Sequence, residues 1–115
     1  MPLPYKRADR VGDLVRRELS RLLLREVKDP RVRNLTITSV EMSADLRHAQ
    51  VRFTGPAGEG LQGLRSAAGF LRGELGRALR LRHAPDLSFE VDDSVEWSLH
   101  VAALLRQIAS EERGE

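Results

Sequence analysis

Ser66-Ala67-Ala68-Gly69-Phe70-Leu71-Arg72-Gly73-Glu74-Leu75-Gly76-Arg77-Ala78-Leu79-Arg80-Leu81-Arg82 is the stretch around which the rest of the chain is organised. At helical periodicity Leu71, Leu75, Ala78 and Leu79 fall on one side, and Gly69, Gly73 and Gly76 cluster within about 60° on the opposite side. This predicts an amphipathic helix whose outer face carries almost no side chains. Arg72, Arg77 and Arg80 border that bare strip. A phosphate backbone suits such a surface, because Arg binds phosphate through two parallel hydrogen bonds and Gly removes the steric barrier to approach. An ordinary solvated face in an Arg-rich protein has the same look, so the decision rests on the remaining chain.

Working outward, the 115 residues suffice for one domain with a hydrophobic core of its own. The chain has no Cys, which excludes disulfides and thiolate-bound zinc. No apolar run reaches signal-peptide or membrane-span length, so the expectation is a cytoplasmic protein with no membrane partner. The net charge of +2 hides an uneven distribution. Residues 1–28 carry +4, 29–64 are neutral, 65–85 carry +4 and 86–115 carry −6. Seventeen of the nineteen basic residues are Arg, the cation that best matches phosphate geometry.

Upstream, Val11, Leu14, Val15, Leu19, Leu22 and Leu23 keep the spacing of a buried helical stripe from about Arg7 to Val27. Lys6, Arg10, Arg17 and Arg21 share a flank of that helix within about 60°. Asp29-Pro30 stops it, since Pro30 pushes Asp29 out of the helical region. Leu35–Met42 and Leu46–Phe53 alternate apolar and polar residues and predict an antiparallel hairpin. Thr54–Gly60 reads as a loop. Helical spacing resumes at Leu61 and runs into the opening stretch, with a kink or break expected at Ala67-Ala68-Gly69. Downstream, Pro85 ends the helical region and Leu87–Val91 predicts a third strand. Asp93 and Glu96 are spaced as a capping box for a last helix with Leu99, Ala102, Ala103 and Leu105 to Ile108 on its apolar side. The ends, residues 1–5 and 110–115, are expected to be flexible. The whole is an α+β domain with one three-stranded sheet and helices packed on one face. Phe53, Phe70 and Phe89 are expected in the core, and Trp97 reads more readily as packed on the sheet than as a base-stacking platform.

Reactive constellations are thin. His48, His83 and His100 have no ligand spacing, the acids Glu90, Asp92, Asp93 and Glu96 are explained by a strand end and a helix cap, and nothing marks a nucleophile elbow at Ser94. The chain therefore reads as a non-enzyme, with no catalytic residues, metal or cofactor.

Several phrases coincide with one family. Arg7 to Glu26 followed by Val27-Lys28-Asp29-Pro30-Arg31, then Thr38 to Leu46, Ala67-Ala68-Gly69-Phe70-Leu71-Arg72, Leu79 to Arg82, Pro85-Asp86-Leu87-Ser88-Phe89 and Asp92-Asp93-Ser94 resemble ribosome-binding factor A, over nearly the whole chain and in the same order. The resemblance implies a type II K-homology-like fold (α-β-β-α-kink-α-β plus a C-terminal helix). In that fold the usual GxxG loop gives way to a helix, kink and helix carrying Ala-x-Gly, matched here by Ala67-Ala68-Gly69. The two GxxG matches, at Gly60 and Gly73, carry little weight in a chain with nine Gly. The resemblance further implies a bacterial factor that binds the free small (30S) ribosomal subunit and assists late maturation of 16S rRNA. A monomer is expected, with ribosomal proteins as further contacts. With few aromatics available for stacking, phosphate and shape contacts should dominate. The expected RNA-binding residues are Arg10, Arg17 and Arg21 of the first helix with Arg72, Arg77, Arg80 and Arg82, while Gly69, Gly73 and Gly76 permit close backbone approach. The competing readings are a protein–protein adaptor that packs a partner helix on the glycine face, and a general single-stranded RNA binder.

Overall fold

The hairpin forms where alternation predicts it, as β1 (Thr36–Met42) and β2 (His48–Thr54), paired antiparallel. Ile37 and Met42 are both buried although they stand an odd number of positions apart along the strand, which strict alternation forbids. The register resolves this: Ile37 pairs with Phe53 and Ser39 with Arg52, so Thr38 is an extra residue that resets the phase. β3 (Asp86–Val91) then lies parallel to β2, giving the order β1-β2-β3. A parallel neighbour requires a long crossover, and the helix between the two strands supplies it. The computed structural model describes residues 6–114, the side chain of Val95 excepted, so the expected flexible stretch 1–5 and Tyr5 lie outside the described residues.

Helix α1 (Arg7–Arg25) and helix α2 (Ala57–Ala78) cover one face of the sheet. Val15, Leu19 and Leu22 of α1 and Leu64, Leu71 and Leu75 of α2 meet Ala49, Val51 and Phe53 of β2 in a core from which water is excluded. Removing a methylene-rich side chain from such a core typically costs about 2–5 kcal/mol. Glycine lets two elements approach closely. A Cβ on Gly12 would stand 2.7 Å from the Val40 carbonyl oxygen, and one on Gly63 would stand 2.7 Å from Val32 Cγ1. Gly63 thus seats α2 on a single 3-10 turn, Pro30–Val32. Asp29 caps that turn by accepting from the Arg31 amide, and Arg31 donates to Ser66 Oγ of α2.

Several expectations change. Ala57–Gly60, read as loop, is the first turn of α2, because Gly60 packs against Leu35 and Phe53. No break separates two helices at Ala67-Ala68-Gly69: α2 runs through it as one helix, because two strong helix formers precede Gly69 and Leu64 and Leu71 anchor both sides. Phe70 is 46% exposed, pointing away from the sheet that Leu71 faces, and Ala78 is exposed too. The last helix, α3 (Ser94–Glu112), does not pack on the sheet. Trp97, Leu104, Leu105 and Ile108 share one face of it and all are exposed, Trp97 at 66%. Its last turn is helical through Glu112, within the stretch expected to fray. The departure of α3 makes the described residues elongated, with a radius of gyration of 17.9 Å where a compact domain of this length would have about 13 Å.

The start of α3 is nonetheless fixed. Asp92 accepts from the Thr38 hydroxyl at 2.6 Å and from the Ser94 amide at 3.0 Å, and its own amide donates to the Phe53 carbonyl at 2.7 Å. Asp92, rather than Asp93, supplies the side-chain cap, because the strand end holds it in place.

Candidate nucleic-acid interface

The seven arginines expected to meet RNA divide by what their guanidinium groups already hold. Arg21 donates to Glu18 at 2.5 Å and lies 4.0 Å from Glu26. Arg77 is paired with Glu74 one turn back on α2. Arg72 has an architectural role: its Nε donates to the Pro85 carbonyl at 3.1 Å and its Nη2 is 3.1 Å from Asp86, so it fastens the segment leading into β3 onto α2. Arg17, Arg80 and Arg82 are exposed and make no salt bridge to a described residue. Arg10 is exposed on the same flank of α1 as Arg17.

The end of α2 brings two of these together. The Arg80 amide donates to the Arg77 carbonyl and the Leu81 amide to the Gly76 carbonyl, the paired bonds of a Schellman motif with Leu79 as C-cap. The residue after the cap must turn left-handed, and here it is Arg80 at φ 51° instead of the usual Gly. This turn aims the 79–83 segment at the start of α1 and at the β1–β2 connection, and a groove of about 600 Å³ opens between the three. Arg7, Arg47, Arg80 and Arg82 line it. Sequence reasoning missed Arg7 and Arg47. For Arg7 a signal existed, since it shares a helical face with Val11 and Leu14; for Arg47, which alternation places in the second strand and the structure places in the turn before it, none did.

The glycine strip is open. Nothing lies within 4 Å of a Cβ built on Gly69, only the Arg77 side chain at 3.8 Å approaches Gly73, and only Ala84 at 3.7 Å approaches Gly76. Ala67 and Ala68, the rest of the expected kink element, are half-buried on the turn before it. The carboxylates beside these arginines are held ionised. Hydrogen bonding to Arg21 pulls the Glu18 pKa down, and the Ser43 hydroxyl followed by the Arg47 amide does the same for Asp45. Among the described residues no group of His, Cys, Asp or Glu is placed to hold a metal ion, and no helix is long and apolar enough to cross a membrane.

Residues 7–105, which include every residue of the groove, match the family model described as ribosome-binding factor A. The chain belongs to the ribosome-binding factor A family. It is 45% identical over 120 residues to ribosome-binding factor A of Thioalkalivibrio sulfidiphilus, covering 100% of this chain and 93% of that protein. It is 47% identical over 117 residues to that of an Azoarcus species, covering 97% and 93%. The crystal structure of ribosome-binding factor A from Thermus thermophilus superposes with a TM-score of 0.67 at 27% identity, over 75% of this chain and 97% of that one. A homology model of the Thermus thermophilus factor, fitted into a cryo-electron microscopy map of a 30S complex with ribosome-binding factor A, superposes with a TM-score of 0.54 at 28% identity, over 70% of this chain and 93% of that one. The K-homology-like fold of ribosome-binding factor A is thus the fold described above, with three helices and a mixed three-stranded sheet.

Proposed function

We propose that this chain binds the free small ribosomal subunit and assists late maturation of its 16S rRNA, as a monomeric cytoplasmic factor that holds RNA by phosphate and shape contacts and catalyses nothing. The observation that carries this reading is the set of exposed arginines without salt bridges: Arg17 on α1, and Arg80 and Arg82, which line one groove together with Arg7 and Arg47. Guanidinium groups left uncommitted in a chain that pairs Arg21, Arg72 and Arg77 internally are suited to an external polyanion. The fitted 30S complex of the Thermus relative supports the small subunit as that polyanion.

Sedimentation of a cell extract tests the proposal: the chain should travel with free small subunits and be absent from assembled ribosomes. The combined substitution Arg17→Gln, Arg80→Gln, Arg82→Gln should weaken subunit binding and flatten the plot of log affinity against log salt by about 2–3, close to one per lost phosphate contact. Unchanged affinity and slope in a folded variant would refute this assignment of the surface.

A further inference from the structure

The groove at the end of α2 has a floor as well as a rim. Val11 and Leu14 of α1, Leu46 of the β1–β2 connection, and Leu79 and Leu81 after α2 form an aliphatic surface beneath Arg7, Arg47, Arg80 and Arg82. We propose that this groove is a receptacle for one unstacked RNA nucleotide, with the base lying on the aliphatic floor and the phosphate held by Arg80 and Arg82 of the rim. The proposal rests on the reading of the chain as an RNA-binding factor and gives that surface a specific subsite.

Four observations converge on a nucleotide. First, a volume of about 600 Å³ lies within the 300–1,000 Å³ typical of small-molecule sites; a duplex can ride over the rim but cannot enter. Second, the lining matches a ligand that is apolar on one side and anionic on the other, since five aliphatic side chains sit beside four arginines that make no salt bridge to a described residue. Third, Leu14 is 47% exposed although it belongs to the apolar series of α1, so the floor is open to a ligand.

The fourth observation concerns the backbone. Among the described residues only Leu46, at φ 62°, and Arg80, at φ 51°, are left-handed without being Gly, and both line this groove. A side chain with a Cβ is sterically disfavoured in that conformation. Both are held there by hydrogen bonds: Arg80 by the Schellman pair, and Leu46 by its amide donating to Ser43, whose hydroxyl in turn donates to Asp45. Strain retained on two facing sides of one concavity presents Leu46 and Arg80 in fixed positions, as a preformed site requires. Asp45 sets the direction of binding. Its Oδ1 accepts from Ser43 Oγ at 2.6 Å and from the Arg47 amide at 3.0 Å, and the ionised carboxylate repels a phosphate at that end. The base therefore faces the β1–β2 connection and the phosphate faces Arg80 and Arg82.

The test is a methyl NMR titration of the full chain with each of the four nucleoside 5′-monophosphates, alongside inorganic phosphate and an oligoglutamate peptide. Nucleotides should shift the methyls of Val11, Leu14 and Leu79 saturably in the millimolar range, while phosphate and peptide leave those methyls in place. Leu14→Asp should lower nucleotide affinity at least about tenfold by placing a charge on the apolar floor, and Arg82→Gln should lower it without touching the floor. Absence of floor shifts with every nucleotide, or equal shifts with phosphate or peptide, would overturn the proposal even if the chain sediments with small subunits. Floor shifts in a chain that ignores small subunits would instead uphold the pocket and refute the ribosomal role.

Discussion

Replacing Arg80 by Gly should make the protein more stable and a poorer RNA binder. Arg80 stands one residue beyond the C-cap of α2 at φ 51°, where a side chain with a Cβ costs roughly 1–2 kcal/mol. Gly removes that cost but returns about 0.4–1 kcal/mol through the greater freedom of the unfolded chain. The net gain is about 0.5–1 kcal/mol, which for a domain of this size raises the thermal midpoint by about 2–4 °C. Scanning calorimetry reads the gain directly. Subunit binding measured across a salt series reads the loss, expected as a weaker affinity and a slope reduced by about one. Arg80→Ala separates the two effects, because it deletes the guanidinium while keeping the strained backbone: binding should fall as in the Gly variant with no gain in midpoint. A lower midpoint for Arg80→Gly would refute the claim of strain. A higher midpoint with unaltered affinity and slope would show that Arg80 does not touch RNA.

Two other glycine positions give opposite signs. Gly63→Ala should destabilise by about 1–3 kcal/mol in a urea titration, since its Cβ would meet Val32 at 2.7 Å and Arg31 Cβ at 2.9 Å. Gly69→Ala meets nothing within 4 Å and should stabilise α2 by about 0.5–1 kcal/mol; if RNA approaches the bare strip, the same variant loses affinity, and undiminished binding would remove the strip from the interface. Asp92 supplies a pH dependence. The Ser94 hydroxyl, then the Thr38 hydroxyl and the Ser94 amide, lower its pKa from 3.8 to about 2. A lowered folded value means that the stabilisation is complete above the unfolded value near 3.8 and is lost as pH falls toward 2. Asp92→Asn should flatten acid unfolding in that interval, and an unchanged profile would show that these hydrogen bonds do not contribute.

Periodicity revealed most of the fold because the core is built from repeating positions. Val15, Leu19 and Leu22 are spaced as a helix requires, and Ala49, Val51 and Phe53 as a strand requires, so burial can be read from order alone. The bulge at Thr38 leaves a trace in the sequence, the adjacent polar residues Thr38 and Ser39, which a reading of Leu35–Met42 as plain alternation passes over. What escaped depends on partners distant in sequence. Gly60 looked like a loop glycine and Gly63 like any residue of the helix, but Leu35 and Phe53 pack on the first and Val32 on the second. The internal bonds of Arg72 escaped because nothing in the order of residues says that Pro85 and Asp86 fold back to it. Leu105 and Ile108 were read as buried because an apolar stripe implies a cover, and the stripe itself cannot say whether the cover belongs to the same chain. The groove was the least legible feature. It is assembled from the first turns of a helix, a hairpin connection and a helix end, and only the helix positions carry a period.

The projection of α3 also decides what light can report about this protein. Trp97 is the only tryptophan, and it sits on α3 with its ring tilted at 41° to that of His100, 6.1 Å away, remote from Phe53 at the centre of the core. Its emission therefore follows the melting of one helix whose apolar face gains little from packing, while far-ultraviolet circular dichroism follows all three helices. Transitions seen by the two probes should part company on heating, the fluorescence change coming first. Such a mismatch, ordinarily the sign of a populated folding intermediate, would here mean only that the dye nature provided was placed outside the cooperative unit.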